Sequence, residues 1–217
     1  MNPKRRRSHH DPKESPGVRR RKGRLPGHEP PLAVQPCNKL LVRDVVVEAG
    51  ANIGTHTVPL SKLVGIEGSV HAFEPQRLVF QMLRGNLALN QCQNVVAQEL
   101  GLGRSRTRMV TPRVDPNQAN NFGGLSLLQE GDGEAVTVVT LDSINLGRCR
   151  LIKADVEGME EDVILGALET IARCRPLLYL ENDRSEHSAA LLRRLMDLDY
   201  KIWWHCPLVA ALRWNVR

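Results

Sequence analysis

Three short segments of this 217-residue chain carry residue types at spacings that suit chemistry. Glu48-Ala49-Gly50-Ala51-Asn52-Ile53-Gly54 puts an acid and two glycines into one turn. Glycines let the backbone approach a ligand, and the helix that follows offers free N–H groups suited to a phosphate or a carboxylate. A dinucleotide turn would read Gly-x-Gly-x-x-Gly, but Asn52 stands where its middle glycine belongs. An acid two residues before Gly50 fits a pyrophosphate poorly and an ammonium well. Free N–H donors and an acid together match an amino-acid moiety; a plain tight turn is the competing reading.

Glu74 lies 20 residues beyond Gly54, where an acid can accept two hydrogen bonds from ribose hydroxyls. It would equally suit the positive end of a helix dipole. An amino-acid end plus a ribose describes S-adenosylmethionine. The third segment is Ile152-Lys153-Ala154-Asp155-Val156-Glu157-Gly158-Met159-Glu160. Asp155 ends a strand and is expected to face the place where a methyl group would sit, whereas Glu160 and Glu161 suit a helix's first turn. A neutral hydroxyl acceptor needs a base. The candidates are Asp155, His56, Glu157, Asp183 and His205. Asn182 and Asp183 would form an acceptor-side wall, and Asn121, in Asn120-Asn121-Phe122-Gly123-Gly124, would reach the acceptor from a lid.

These residues need strands and helices to position them. Asp44–Glu48, Ser69–Glu74, Val95–Leu100, Val136–Leu141, Leu151–Asp155, Leu177–Glu181 and Tyr200–His205 read as strands. Helical spacing runs over Asn52–Val64, Pro75–Asn90, Glu160–Ala172 and Ser188–Leu198, while 101–134 reads as irregular. Alternating strands and helices predict an α/β fold with a mostly parallel, doubly wound sheet and right-handed crossovers. Ligands of such sheets sit at the carboxyl ends of the strands. Glu48, Glu74, Glu99, Asp155 and Glu181 end strands there, and all five are acidic.

The formal charge of +6 invites a nucleic-acid reading, but it is unevenly placed. Residues 1–35 hold 10 Lys+Arg against 3 Asp+Glu, and the remainder holds 20 against 21. Residues 1–36 also carry seven of the 13 prolines and no apolar periodicity, so they are expected to be a disordered basic tail. Nucleic acid would then engage only that tail. Residues 37–217 form the expected domain. Five scattered cysteines (Cys37, Cys92, Cys149, Cys174, Cys206) without a Cys-x-x-Cys pair argue against a disulfide framework and a zinc site. No metal is expected. No apolar run approaches the ~18–20 residues of a membrane span, and no apolar stretch follows the N-terminal arginines as in a secretory signal. A cytoplasmic protein is expected.

Val47 to Thr57, with Glu48-Ala49-Gly50-Ala51-Asn52-Ile53-Gly54 at its centre, resembles the first motif of the FkbM-type methyltransferases, usually Asp-x-Gly-Ala-Asn-Ile-Gly. Ala72-Phe73-Glu74-Pro75, Thr140-Leu141-Asp142 and Ile152 to Gly158 resemble their later motifs, in order, within residues 40–206. The resemblance implies a Rossmann-like class I methyltransferase fold and S-adenosylmethionine as donor. It further implies O-methylation of a hydroxyl on a small molecule, sugar or polyketide-like acceptor. By position, Gly50, Asn52 and Gly54 would cradle the methionine part and Glu48 its ammonium. Glu74 would take the ribose, Gln98 and Glu99 would flank the adenine, and Asp155 would face sulfonium and acceptor. Glu48 is one methylene longer than the family's usual Asp. The sheet of that fold closes with an antiparallel strand, for which only Leu208–Leu212 remains, so an incomplete last strand is expected. Two alternatives stand beside this reading: a nucleic-acid methyltransferase anchored by the tail, and a truncated non-catalytic domain.

Overall fold

Short β-branched and aliphatic runs alternate with amphipathic segments along most of the chain, and most of these runs become strands. The computed structural model describes residues 40–112 and 126–205. In chain order the elements are β1 (Val45–Ala49), α1 (Thr57–Val64), β2 (Ser69–Phe73), α2 (Arg77–Leu89), β3 (Val95–Gln98), β4 (Gly101–Leu102), β5 (Thr107–Pro112), β6 (Gly133–Val139), β7 (Leu151–Ala154), α3 (Glu160–Leu165), α4 (Leu168–Cys174), β8 (Leu177–Leu180) and α5 (Ser185–Asp197). The main sheet has the order β3-β2-β1-β7-β8, with every pair parallel. The chain winds outward from β1 to β3, then from β7 to β8, so the switch point falls between β1 and β7. The fold is the expected α/β, mostly parallel and Rossmann-like.

Side chains alternate across β1. Val45, Val47 and Ala49 pack with Ile152, Ala154, Val163, Ile164, Ile171, Leu191 and Leu195 on the α3–α5 face. Val46 packs with Leu60, Val64, Val70 and Leu151 on the α1 face. Ala72, Phe80, Leu83 and Leu87 extend that second core under α2. Glu48 and Lys153 therefore fall on the α1 face, in register with each other.

Several elements differ from the sequence-based expectation. The helix expected from Asn52 starts at Thr57, because Asn52 (φ 51°) and Gly54 (φ 94°) turn the chain left-handed first. The helix expected from Pro75 starts at Arg77, after the Glu74 side chain has accepted the Gln76 N–H. The strand expected to reach Leu100 stops at Gln98, and the next residues peel off into a second sheet, β4-β6-β5. The stretch expected to be irregular thus holds β4 and β5, with β5 antiparallel to β6.

The helix expected over Glu160–Ala172 is two helices. The Gly103 carbonyl approaches Gly166 so closely that a Cβ there would lie 2.0 Å from it. Tyr200–His205 forms no strand. Asp199 turns left-handed (φ 58°), Arg175 donates to the Leu198 and Asp199 carbonyls, and the Tyr200 hydroxyl donates to the Pro176 carbonyl. Side chains tether this segment in place of a backbone ladder. The expected tail (1–36), Asn121 and the Leu208–Leu212 strand lie outside the described residues.

Candidate active site

A cleft of about 330 Å³ opens at the carboxyl ends of the strands, across the β1–β7 switch point. The turn after β1 forms one wall. The Gly50 and Ala51 N–H groups both donate to the Phe73 carbonyl, and the Asp155 N–H donates to the Ala49 carbonyl. Gly50 (φ 74°) presses so close to β7 that a Cβ would stand 1.9 Å from the Asp155 carbonyl oxygen. Only glycine fits there.

Glu74, just past β2, is buried and ties the same wall together. One carboxylate oxygen accepts the Asn52 N–H and the other the Gln76 N–H, each at 2.9 Å. Each oxygen can accept a further hydrogen bond, and Glu74 is among the residues that line the cleft. Burial raises its proton affinity against these two bonds, which lower it.

The floor is charged. Lys153 is 5% exposed yet reaches the cleft, with Nζ 3.5 Å from Glu48 Oε1 and 3.4 Å from Asp155 Oδ2. Glu48 is wholly buried behind it and accepts a 2.7 Å hydrogen bond from the Thr57 hydroxyl. Burial raises the Glu48 proton affinity, and the Lys153 ammonium opposes it. Opposite, Asp155, Glu157 and Glu181 bring carboxylate oxygens within 4.8 Å of one another. Glu157 is ion-paired with Arg184. Glu181 Oε2 is buried without a hydrogen-bond partner among the described residues.

Six of the residues expected at the site line the cleft: Gly50, Asn52, His56, Glu74, Asp155 and Glu157. His56 opens α1 with its imidazole largely exposed, and burial followed by the nearby Lys153 charge lowers its proton affinity. Others are placed elsewhere. Glu48 sits behind Lys153. Gly54 is buried against Leu83, 2.9 Å from where a Cβ would stand. Gln98 offers its carbonyl to the Glu74 N–H, and Glu99 is exposed. Asn182 is hydrogen-bonded to Ser188, and Asp183 is exposed beside Arg184. None of these others lines the cleft. His205 is held by the Tyr179 hydroxyl at 2.9 Å and is likewise outside it.

Two other motif acids have structural tasks. Asp142 accepts the Glu169 and Thr170 N–H groups and the Thr170 hydroxyl at the start of α4. Glu160 Oε1 accepts the Val156 N–H and so fixes the turn after β7. The residues missed as site members are Lys153 and Glu181. A lysine inside the buried run Leu151–Ala154, and an acid ending β8, were the available signals.

A match to the methyltransferase FkbM domain extends over residues 48–202, from the Glu48 turn to beyond α5. The chain belongs to this family. "Methyltransferase 1" of Beauveria bassiana is 29% identical, over 56% of this chain and 57% of that protein. The solved methyltransferase FkbM of Methylobacillus flagellatus KT aligns with a TM-score of 0.51 and 21% identity, over 72% of this chain and 36% of that one. Precorrin 8W decarboxylase of Methanobacterium thermoautotrophicum shares the fold (TM-score 0.50, 13% identity, 78% of this chain and 70% of that one). The chain thus spans little over half of the curated relative and about a third of the first solved one. No helix among the described residues is long and apolar enough to cross a membrane. Cys92, Cys149 and Cys174 are free, and burial pushes the Cys149 thiol up to about 12.

Proposed function

We propose that this chain binds S-adenosylmethionine in the switch-point cleft and methylates a hydroxyl of a small molecule, sugar or polyketide-like acceptor. The observation that carries this is the cleft's charge. Glu74, Asp155, Glu157 and Glu181 line it against one ammonium, Lys153. Such a field favours a cationic ligand over a polyphosphate. The donor set fits the group: a turn in which only glycine fits at Gly50, and a Glu74 carboxylate with free lone pairs for the ribose.

When bound, S-adenosylmethionine supplies a methyl group on an already activated, positively charged sulfur. The chain's own residues hold and orient. Gly50 and Asn52 present backbone to the amino-acid end, and Glu74 accepts from the ribose hydroxyls. Asp155 faces the acceptor, and His56 lines the same cleft. Positioning of the two reactants is the main catalytic task for such a donor.

Calorimetric titration with S-adenosylmethionine and with NADH tests the reading. Binding of the first and none of the second is expected. Binding of NADH alone would replace methyl transfer with a hydride reaction.

A further inference from the structure

A hydroxyl acceptor must lose a proton as it is methylated, and each candidate base named from the sequence is spoken for or misplaced. Asp155 is paired with the Lys153 ammonium at 3.4 Å. Glu157 is held by Arg184. Asp183 and His205 stand outside the cleft. His56 has its proton affinity lowered by burial and by Lys153, which makes it a weak base.

Glu181 is different. It follows β8 directly, its N–H donating to the Ala154 carbonyl at 2.9 Å, so the backbone sets its side chain beside Asp155 at the cleft wall. Among the described residues it has no cationic partner, and its Oε2 is buried without a donor. The charged groups around it are Asp155 and Lys153 at the end of β7, Glu157 in the turn before α3, and Asp183 and Arg184 before α5. The carboxylates outnumber the cations, and both cations are already engaged by other acids.

We propose that Glu181 is a catalytic residue: it takes the proton of the acceptor hydroxyl as the methyl group is transferred, and Lys153 acts as a positioning residue by holding the Asp155 carboxylate beside it. The acceptor oxygen gains a bond to the methyl carbon, the carbon–sulfur bond breaks with its electron pair going to sulfur, and the O–H proton goes to a Glu181 oxygen. Burial, then a side-chain hydrogen bond shared with Asp155 and the charge of that carboxylate, then the charges of Asp183 and Glu157 push Glu181 up to about 8. A base of that strength is well matched to operation near neutral pH. This inference rests on the methyl-transfer reading of the same cleft.

It carries a consequence independent of turnover. A sulfonium arriving beside a protonated Glu181 favours the ionised form, so binding must expel a proton. Calorimetry of S-adenosylmethionine binding at pH 7.5, repeated in buffers of different ionisation enthalpy, reads that proton directly. Release of a substantial fraction of one proton is expected, with much less for S-adenosylhomocysteine, whose sulfur is uncharged, and none from this site in Glu181→Gln. Carboxyl ¹³C NMR of the ligand-free protein should place the Glu181 titration well above the ordinary glutamate range and return it toward that range in Asp155→Asn. Glu181→Gln should lower kcat at saturating donor on the order of 10²–10⁴-fold, and should also weaken donor binding, because the amide cannot supply the negative charge that the sulfonium favours. Binding without proton release, or a Glu181 that titrates like a free glutamate, overturns the assignment and leaves the functional reading standing. No binding of the donor at all removes both.

Discussion

Lys153 Nζ lies 3.5 Å from Glu48 Oε1, on neighbouring parallel strands whose register sets the two residues side by side. Both are buried, so both charges depend on protein partners far more than on water. Glu48 is steadied further by the Thr57 hydroxyl, and Lys153 by Asp155. The sequence motif that would place Glu48 against a ligand's ammonium thus meets the protein's own ammonium first.

Breaking this pair should be costly, because a buried charge left alone costs more than the pair contributes. Lys153→Met should destabilise the domain by ~3–5 kcal/mol in denaturant unfolding. Adding Glu48→Gln should restore part of that loss. The two single changes and the double change form a cycle, and simple additivity in it would mean that the two residues do not interact.

Gly50 and Gly85 offer a matched contrast. A Cβ at Gly50 would meet the Asp155 carbonyl oxygen at 1.9 Å in a left-handed backbone, whereas a Cβ at Gly85, inside α2, meets nothing within 4 Å. Gly50→Ala should cost at least ~2 kcal/mol through strain and β1–β7 separation. Gly85→Ala should gain ~0.5–1 kcal/mol from helix entropy. Thermal melting of both variants checks the pair. A mild effect at Gly50 would mean that the turn can open, and the cleft wall with it.

Glu74 holds the Asn52 and Gln76 N–H groups and faces the cleft, so its removal should be felt in binding. Glu74→Ala should weaken S-adenosylmethionine by ~1–3 kcal/mol in calorimetry. Glu74→Gln tests charge alone. It keeps one acceptor oxygen and should cost less than the alanine. Undiminished affinity in both would remove the ribose assignment.

These residues also mark how far the sequence could be read. The β1 turn, Glu74 and Asp155 were legible because each depends on local pattern: a β-branched run, then a glycine or an acid at its end. The second sheet was not. Thr107–Pro112 alternates poorly and carries Arg108, and its strand identity comes from pairing with β6 far along the chain. The break between α3 and α4 depends on the Gly103 carbonyl lying against Gly166, a contact no helical periodicity reports. Tyr200–His205 has a strand's composition, but Arg175 and Tyr200 tether it. Lys153 was visible as a residue but not as a partner, since its role follows from β7 pairing with β1 across the switch point.

The clustered acids predict a direction for stability against pH. Glu48, Glu74 and Glu181 are all raised from the ordinary 4.5, Glu181 to about 8. The folded state therefore binds these protons more tightly than the unfolded chain does. Their stabilisation is fully present below pH 4.5 and is lost as pH rises through the folded values. His56 and His71 are lowered from 6.5, chiefly by burial, and act in the opposite sense, costing stability as pH falls below 6.5. Between pH 6.5 and about 8 the histidines no longer contribute, while Glu181 still ionises. The melting temperature should therefore fall across that window in the native protein and fall less in Glu181→Gln, with low ionic strength enlarging the difference. Parallel curves for the two proteins would show that Glu181 has already lost its proton by pH 6.5, and that the negative charges around it are screened by solvent.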